Sequence, residues 1–216
     1  MKKLLVAIAC LMLTMLFGCA SAQGEFTPYD FNADASQVRS IRINAIDRSV
    51  EVTLSPDDGI HLSCHQSDKE YYDVTIDEGV LTVELRQNKR WYDFIGGKSP
   101  EAYRHISLQI PAGALDSLII ATTNEPVTLE DVSLLTTVGI SVNGGDIAFD
   151  SLDAGEQLTL ECKNGNISGT LHGPIYDYTI QTYIKKGDSN LPDSMGDGDK
   201  LLNVDANNGN IDIAFE

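Results

Sequence analysis

Val142-Asn143-Gly144-Gly145-Asp146-Ile147 and Cys162-Lys163-Asn164-Gly165-Asn166-Ile167 are two copies of one pattern. Ile184-Lys185-Lys186-Gly187-Asp188-Ser189 and Ala206-Asn207-Asn208-Gly209-Asn210-Ile211 repeat it. Their aligned glycines are 145, 165, 187 and 209, and a degenerate copy one step earlier puts Glu125 in the glycine place. The repeat is therefore 20 to 22 residues.

Outward from each turn the apolar residues follow a period of two, the period of a strand. Val138, Ile140 and Val142 precede one turn, Leu158, Leu160 and Cys162 the next, and Leu202, Val204 and Ala206 the last. Ile147 and Phe149, and again Ile211, Ile213 and Phe215, follow. The same template fits around Arg48, with Ile41, Ile43, Ala45, Val50, Val52 and Leu54, and around Gly79, with Tyr72, Val74, Ile76, Leu81, Val83 and Leu85. Over the seven units 35 of 42 template positions are apolar, against 42% hydrophobic residues in the chain. Gly and Asn tolerate the positive φ of a tight turn.

After residue 20 no stretch sustains a helical apolar stripe over three turns, apart from a candidate turn at Pro111 to Leu115. Each unit has one apolar face that it cannot bury alone. The expected fold is all-β: a β-solenoid of strand–turn–strand coils over residues 37–216, with Val142, Cys162, Ile184 and Ala206 in one interior column. A β-sandwich of hairpins is the alternative. Arg86 to Ala102 and Leu191 to Lys200 break the rhythm and read as loops leaving the coil, and the last strand reads as an edge.

At the other end of the chain, Lys2 and Lys3 precede an apolar run from Leu4 to Phe17 broken only by Thr14. This run is shorter than the roughly 20 residues a membrane span needs and has signal-peptide proportions. Leu16-Phe17-Gly18-Cys19 resembles the bacterial lipobox, with Phe17 bulkier than the usual residue. That resemblance implies a signal peptide over 1–18, lipidation of Cys19 with palmitate among the expected chains, and a tether over 19–36. An ordinary cleavage near Ala20-Ser21-Ala22 is the alternative.

The chain has 15 basic and 32 acidic residues, a net charge of −17. Loss of residues 1–18 removes two lysines and leaves −19. Such a balance argues against nucleic acid and against electrostatic docking on an anionic membrane. Cys64 and Cys162 sit in alternating apolar patterns and read as small buried hydrophobes, with a disulfide between them as the less favoured reading.

A lipobox, strands punctuated by Asn-Gly-Asn-Ile and Gly-Gly-Asp-Ile, and an Asn-Gly-Asn-Ile-Asp-Ile-Ala-Phe ending together resemble the bacterial "putative adhesin" β-strand-repeat lipoprotein family. The resemblance implies a β-solenoid, an extracytoplasmic location and no known enzymatic activity. It carries no catalytic motif onto this chain.

The residues themselves show no catalytic signature. GxSxG and SxxK are absent. His61 and His65 point outward about 13 Å apart, too far to share a metal. The paired acids Asp57-Asp58, Asp77-Glu78 and Glu130-Asp131 fall at turns. No cofactor or metal is expected. Calcium on the oxygen-rich turns, or on Asp193, Asp197 and Asp199, is the one weak candidate, because turn geometry already explains the Asn and Asp residues.

Trp91, Tyr92 and Phe94 form the concentrated aromatic loop, read either as a cap on the solenoid or as a binding loop. The expected function is a lipid-anchored surface module, not an enzyme, that binds a surface protein or glycan or serves structurally. Its membrane contact would run through the N-terminal lipid only. The alternatives are a polysaccharide-acting enzyme, for which carboxylates clustered on one face would speak, and an envelope-stress accessory protein.

Overall fold

The computed structural model describes residues 24–90, 97–134 and 136–216. Its strands are β1 (Thr27–Asp34), β2 (Ser40–Asn44), β3 (Ser49–Leu54), β4 (Gly59–Gln66), β5 (Glu70–Asp77), β6 (Val80–Gln87), β7 (His105–Ile110), β8 (Ser117–Thr122) and β9 (Val127–Glu130). Then follow β10 (Thr137–Val142), β11 (Ile147–Leu152), β12 (Gln157–Asn164), β13 (Ile167–Leu171), β14 (Tyr178–Lys186), β15 (Ser194–Met195), β16 (Lys200–Asn208) and β17 (Ile211–Phe215). Among the described residues there is no α-helix, and Pro111 to Leu115 forms turns.

The strands lie in two mixed sheets. The first runs β1-β4-β7-β3-β9-β11-β13-β17 and the second β15-β14-β16-β12-β10-β8-β2-β6-β5. Their central pairings are parallel and in register, and antiparallel pairs occur toward the ends. Each regular unit gives a strand to the second sheet, turns a corner at the glycine position, and gives the next strand to the first sheet.

In-register pairing turns the period-two pattern into rows of buried aliphatic side chains. Leu81, Ile41, Leu118, Val138, Leu158, Leu202 and Ile180 form one row across the second sheet, all at most 1% exposed. Ile140 pairs with Leu160 in the next row, and both are buried. Ile106, Val50, Val127, Ile147, Ile167 and Ile211 face them from the first sheet. These rows form the core.

Several expectations are corrected. The interior column exists, but its spatial order is Val142, Cys162, Ala206, Ile184, because β16 lies between β12 and β14. Likewise β2 lies between β8 and β6. The Gly79 unit is not a corner between sheets. Glu78 and Gly79, with φ of 48° and 82°, close a two-residue hairpin that pairs β5 with β6 antiparallel in one sheet.

Within the expected tether, Thr27–Asp34 is a strand. Tyr29, Phe31 and Ala33 alternate toward the core, and β1 pairs with β4. The 191–200 stretch does not simply leave the array. Ser194–Met195 adds a short antiparallel strand to β14, and Leu191 is buried over that end. β17 does end its sheet.

The corner glycines have a second constraint beyond their dihedrals. A Cβ on Gly165 would land on the Gly145 carbonyl, one on Gly209 on the Gly165 carbonyl, and one on Gly187 on the Gly209 carbonyl. Neighbouring corners approach backbone to backbone. Beside them runs a polar ladder. Asn166 N donates to Asp146 Oδ1 at 2.7 Å, Asn210 N to Asn166 Oδ1 at 2.9 Å, and Asp188 N to Asn210 Oδ1 at 3.0 Å. Asp146, Asn166 and Asn210, offered to calcium in the sequence reading, thus each accept a backbone hydrogen bond between corners.

Candidate functional site

Cys19, Trp91, Tyr92 and Phe94 lie outside the described residues. What flanks the aromatic loop is well defined. It spans the connection from β6 to β7, the place occupied by a short corner in the regular units. On one side Lys89 Nζ contacts Glu70 Oε1. On the other, Ser99 Oγ donates to Glu70 Oε2, and Lys98 Nζ lies 3.1 Å from Asp47 Oδ1. Arg104 pairs with Glu125, and the Tyr103 ring stacks on Phe26 at 4.8 Å. Burial works against the Asp47 charge, yet Asn124, Lys98 and Arg104 hold its carboxyl below the ordinary value.

A groove crosses the outer face of the second sheet, opposite the core rows. One outward column runs, in spatial order, Asn44, Ala121, Ser141, Glu161, Asp205, Tyr183. The stretch over Ala121, Ser141 and Glu161 has a volume of about 570 Å³ and is bordered by Ile46, Thr123, Asn143 and Lys163 near the corners. A second hollow of about 580 Å³ continues over Asn203, Asp205 and Gln181 to Asp193 and Ser194. Glu161, Asp205 and Tyr183 line both. Six strands at about 4.8 Å spacing give the column a length of roughly 24 Å.

The strand geometry places these groups. Glu161 stands directly across from Asp205, and Asp205 across from Tyr183. Tyr183 is 59% exposed, with its inward neighbour Ile184 packed against the core. Two residues along the same strands, Lys163, Asn207 and Lys185 lie in line beside that row. The groove therefore offers one aromatic face, two adjacent carboxylates, nearby ammonium groups and several amides, on a rigid sheet.

Sequence reasoning missed this groove. Its signal was Tyr183, an aromatic at an outward strand position where the other units carry Asn, Ala, Ser, Glu and Asp. The histidines fall on the other sheet: His61 lies between Asn32 Oδ1 at 2.6 Å and Asp57 Oδ1 at 2.8 Å, and His65 packs against Tyr103. Among the described residues no three His, Cys, Asp or Glu side chains are placed to share a metal ion. Cys64 and Cys162 are buried, separate thiols. Burial pushes the Cys64 thiol up to about 12.

An all-β molecule of two stacked sheets, built from corner-linked strand pairs and carrying an open polar groove, is the class that fold and site define. Residues 38–216 match the family model described as Toastrack DUF4097, and the chain belongs to that family. A comparison with curated proteins finds no match. Among solved structures, a "putative cell adhesion protein" from Clostridium sporogenes is similar at 10% identity and a TM-score of 0.61, covering 89% of this chain and 100% of that one. A "putative adhesin" from Bacteroides fragilis aligns at 11% identity and a TM-score of 0.35, over 87% and 97% of the two chains. Among the described residues no helix is long and apolar enough to cross a membrane.

Proposed function

We propose that this chain is a binding module of the bacterial envelope, exported through residues 1–18 and held at a membrane by lipid on Cys19. Each strand–corner–strand unit acts as one coil of a solenoid whose outer face is the working surface. The groove beside Tyr183 carries this reading. Binding sites commonly pair an aromatic contact with a few placed polar groups on a preformed concavity of several hundred Å³. The name of the Clostridium sporogenes relative, a "putative cell adhesion protein", fits the same reading. Two assays test it. Cys19→Ser should release the protein from the detergent phase on partitioning, and unchanged partitioning would sink the anchor. The immobilised full chain should retain material from envelope extracts, and should retain less of it with Tyr183→Ala.

The opposed carboxylates Glu161 and Asp205 favour one second reading, an enzyme that cleaves polysaccharide with a carboxylate pair. Both side chains are solvent-exposed, which favours binding, since a catalytic acid needs a sheltered site. Reducing ends released from a polysaccharide by the full chain, and lost in Glu161→Gln, would decide for the enzyme.

A further inference from the structure

We infer that the groove binds a neutral saccharide chain lying across the strands, with Tyr183 as its stacking platform. This deepens the binding reading and rests on it.

The chemistry of the groove narrows the ligand. A polyanion would meet Glu161, Asp205 and Asp193 along the floor and rim. A polycation would meet Lys163, two residues from Glu161 on β12, and Lys185, two residues from Tyr183 on β14. An added peptide strand would need an open backbone edge, but β10, β12 and β16 are each paired on both sides beneath the groove. An acyl chain would need continuous apolar walls, and the outward column is interrupted by the polar side chains Asn44, Ser141, Glu161 and Asp205.

What remains is a ligand with no net charge, many hydroxyls and flat C–H faces. A pyranose chain has all three. Its C–H face can lie on the Tyr183 ring. Carboxylates and amides such as Glu161, Asp205 and Asn203 accept from and donate to hydroxyls. The groove is long and shallow, so several sugar units fit in line and an internal stretch of a polymer fits as well as an end.

The test is calorimetric titration of the full chain in detergent with neutral hexasaccharides of glucose, N-acetylglucosamine, mannose and galactose. Hexalysine and hexagalacturonate serve as charged probes. At least one neutral hexasaccharide should bind, more tightly than either charged probe. Tyr183→Ala should weaken it roughly tenfold, the scale of one aromatic contact. Tyr176→Ala, at a 74% exposed site outside the groove, should leave it unchanged. Failure of all four neutral probes, preference for a charged one, or undiminished binding by Tyr183→Ala would overturn the inference. Tyr183-dependent capture from envelope extracts alongside such a failure would leave the binding reading standing and reject the saccharide alone.

Discussion

The Arg48 guanidinium donates to Glu70 Oε2 at 2.8 Å with the two side chains only 1% and 2% exposed. Arg48 occupies the corner between β2 and β3, and Glu70 begins β5 at the end of the second sheet. Tyr72 Oη and the Ile46 and Asp47 carbonyls also accept from Arg48, and Lys89, Ser99 and Gln87 donate to Glu70. Removing one member of a buried ion pair strands the other without compensation, at about 3–5 kcal/mol. Glu70→Ala should lower unfolding free energy by that amount in urea titration. A loss below about 1 kcal/mol would show that solvent reaches the cluster.

The same carboxylate should leave a mark in acid. Burial alone would raise the Glu70 carboxyl, but Lys89, Ser99 and Arg48 together hold it at about 2, against an ordinary 4.5. Below 4.5 the unfolded chain binds a proton that the folded one refuses. The contribution of Glu70 is therefore fully present above about pH 4.5 and is lost as pH falls through about 2. Wild type and Glu70→Gln should converge in stability over that window. A gap independent of pH would contradict the assignment.

Gly209→Ala should be among the costliest single-methyl changes in the molecule. Its Cβ would meet the Gly165 carbonyl at a φ of 153°. Overpacking and backbone strain together suggest a loss of about 2–4 kcal/mol, read as a drop in thermal midpoint. Gly113→Ala, where a Cβ meets nothing within 4 Å, should cost much less, because only its φ of 61° opposes it. Equal effects would mean that the corners do not approach as described.

Native Cys64 and Cys162 should resist an aromatic disulfide reagent until the protein unfolds. Both are at most 3% exposed, and burial raises both thiols above their ordinary value. The measurement uses a Cys10→Ser, Cys19→Ser chain, so that any signal comes from these two. Rapid titration of either thiol in native buffer would refute their burial.

Trp91→Ala addresses the aromatic loop. Both flanks are pinned through Glu70 and Asp47, and the mutation tests the cap reading of the sequence against the binding one. On the cap reading the loss should be about 3–5 kcal/mol, the scale for truncating a buried Trp. A melting shift of only a degree or two would instead make Trp91 a binding residue.

Much of the architecture was legible in local sequence, and the reason is visible in the rows. Leu118, Val138, Leu158 and Leu202 fall on the inward beat of the period-two pattern and are all buried, because strand period and core face coincide. The order of the units was not legible. Ala206 and Ile184 fit the same column equally well, and pairing between distant strands decides which neighbour each takes. Gly79 mimicked a corner because a hairpin and a corner share alternating flanks. What separates them is that Asp77 pairs with Val80 across two residues. Arg48 was read as a turn residue in a glycine's place, when its value lies in a partner 22 residues away. The groove stayed hidden because it is made by six strands, each giving one ordinary outward side chain.

The strand order has a consequence for how the molecule is completed. Residues 200–216 form β16 and β17, and β16 wedges between two strands made earlier, β12 and β14. A chain emerging from its N-terminus can form β12 and β14, but cannot seat them in their final places until residues 200–208 arrive. β16 is therefore a keystone between β12 and β14 rather than an added tread. Truncation before residue 200 would leave β12 and β14 with a gap between them in the middle of a sheet, and one late-arriving segment governs closure of the whole.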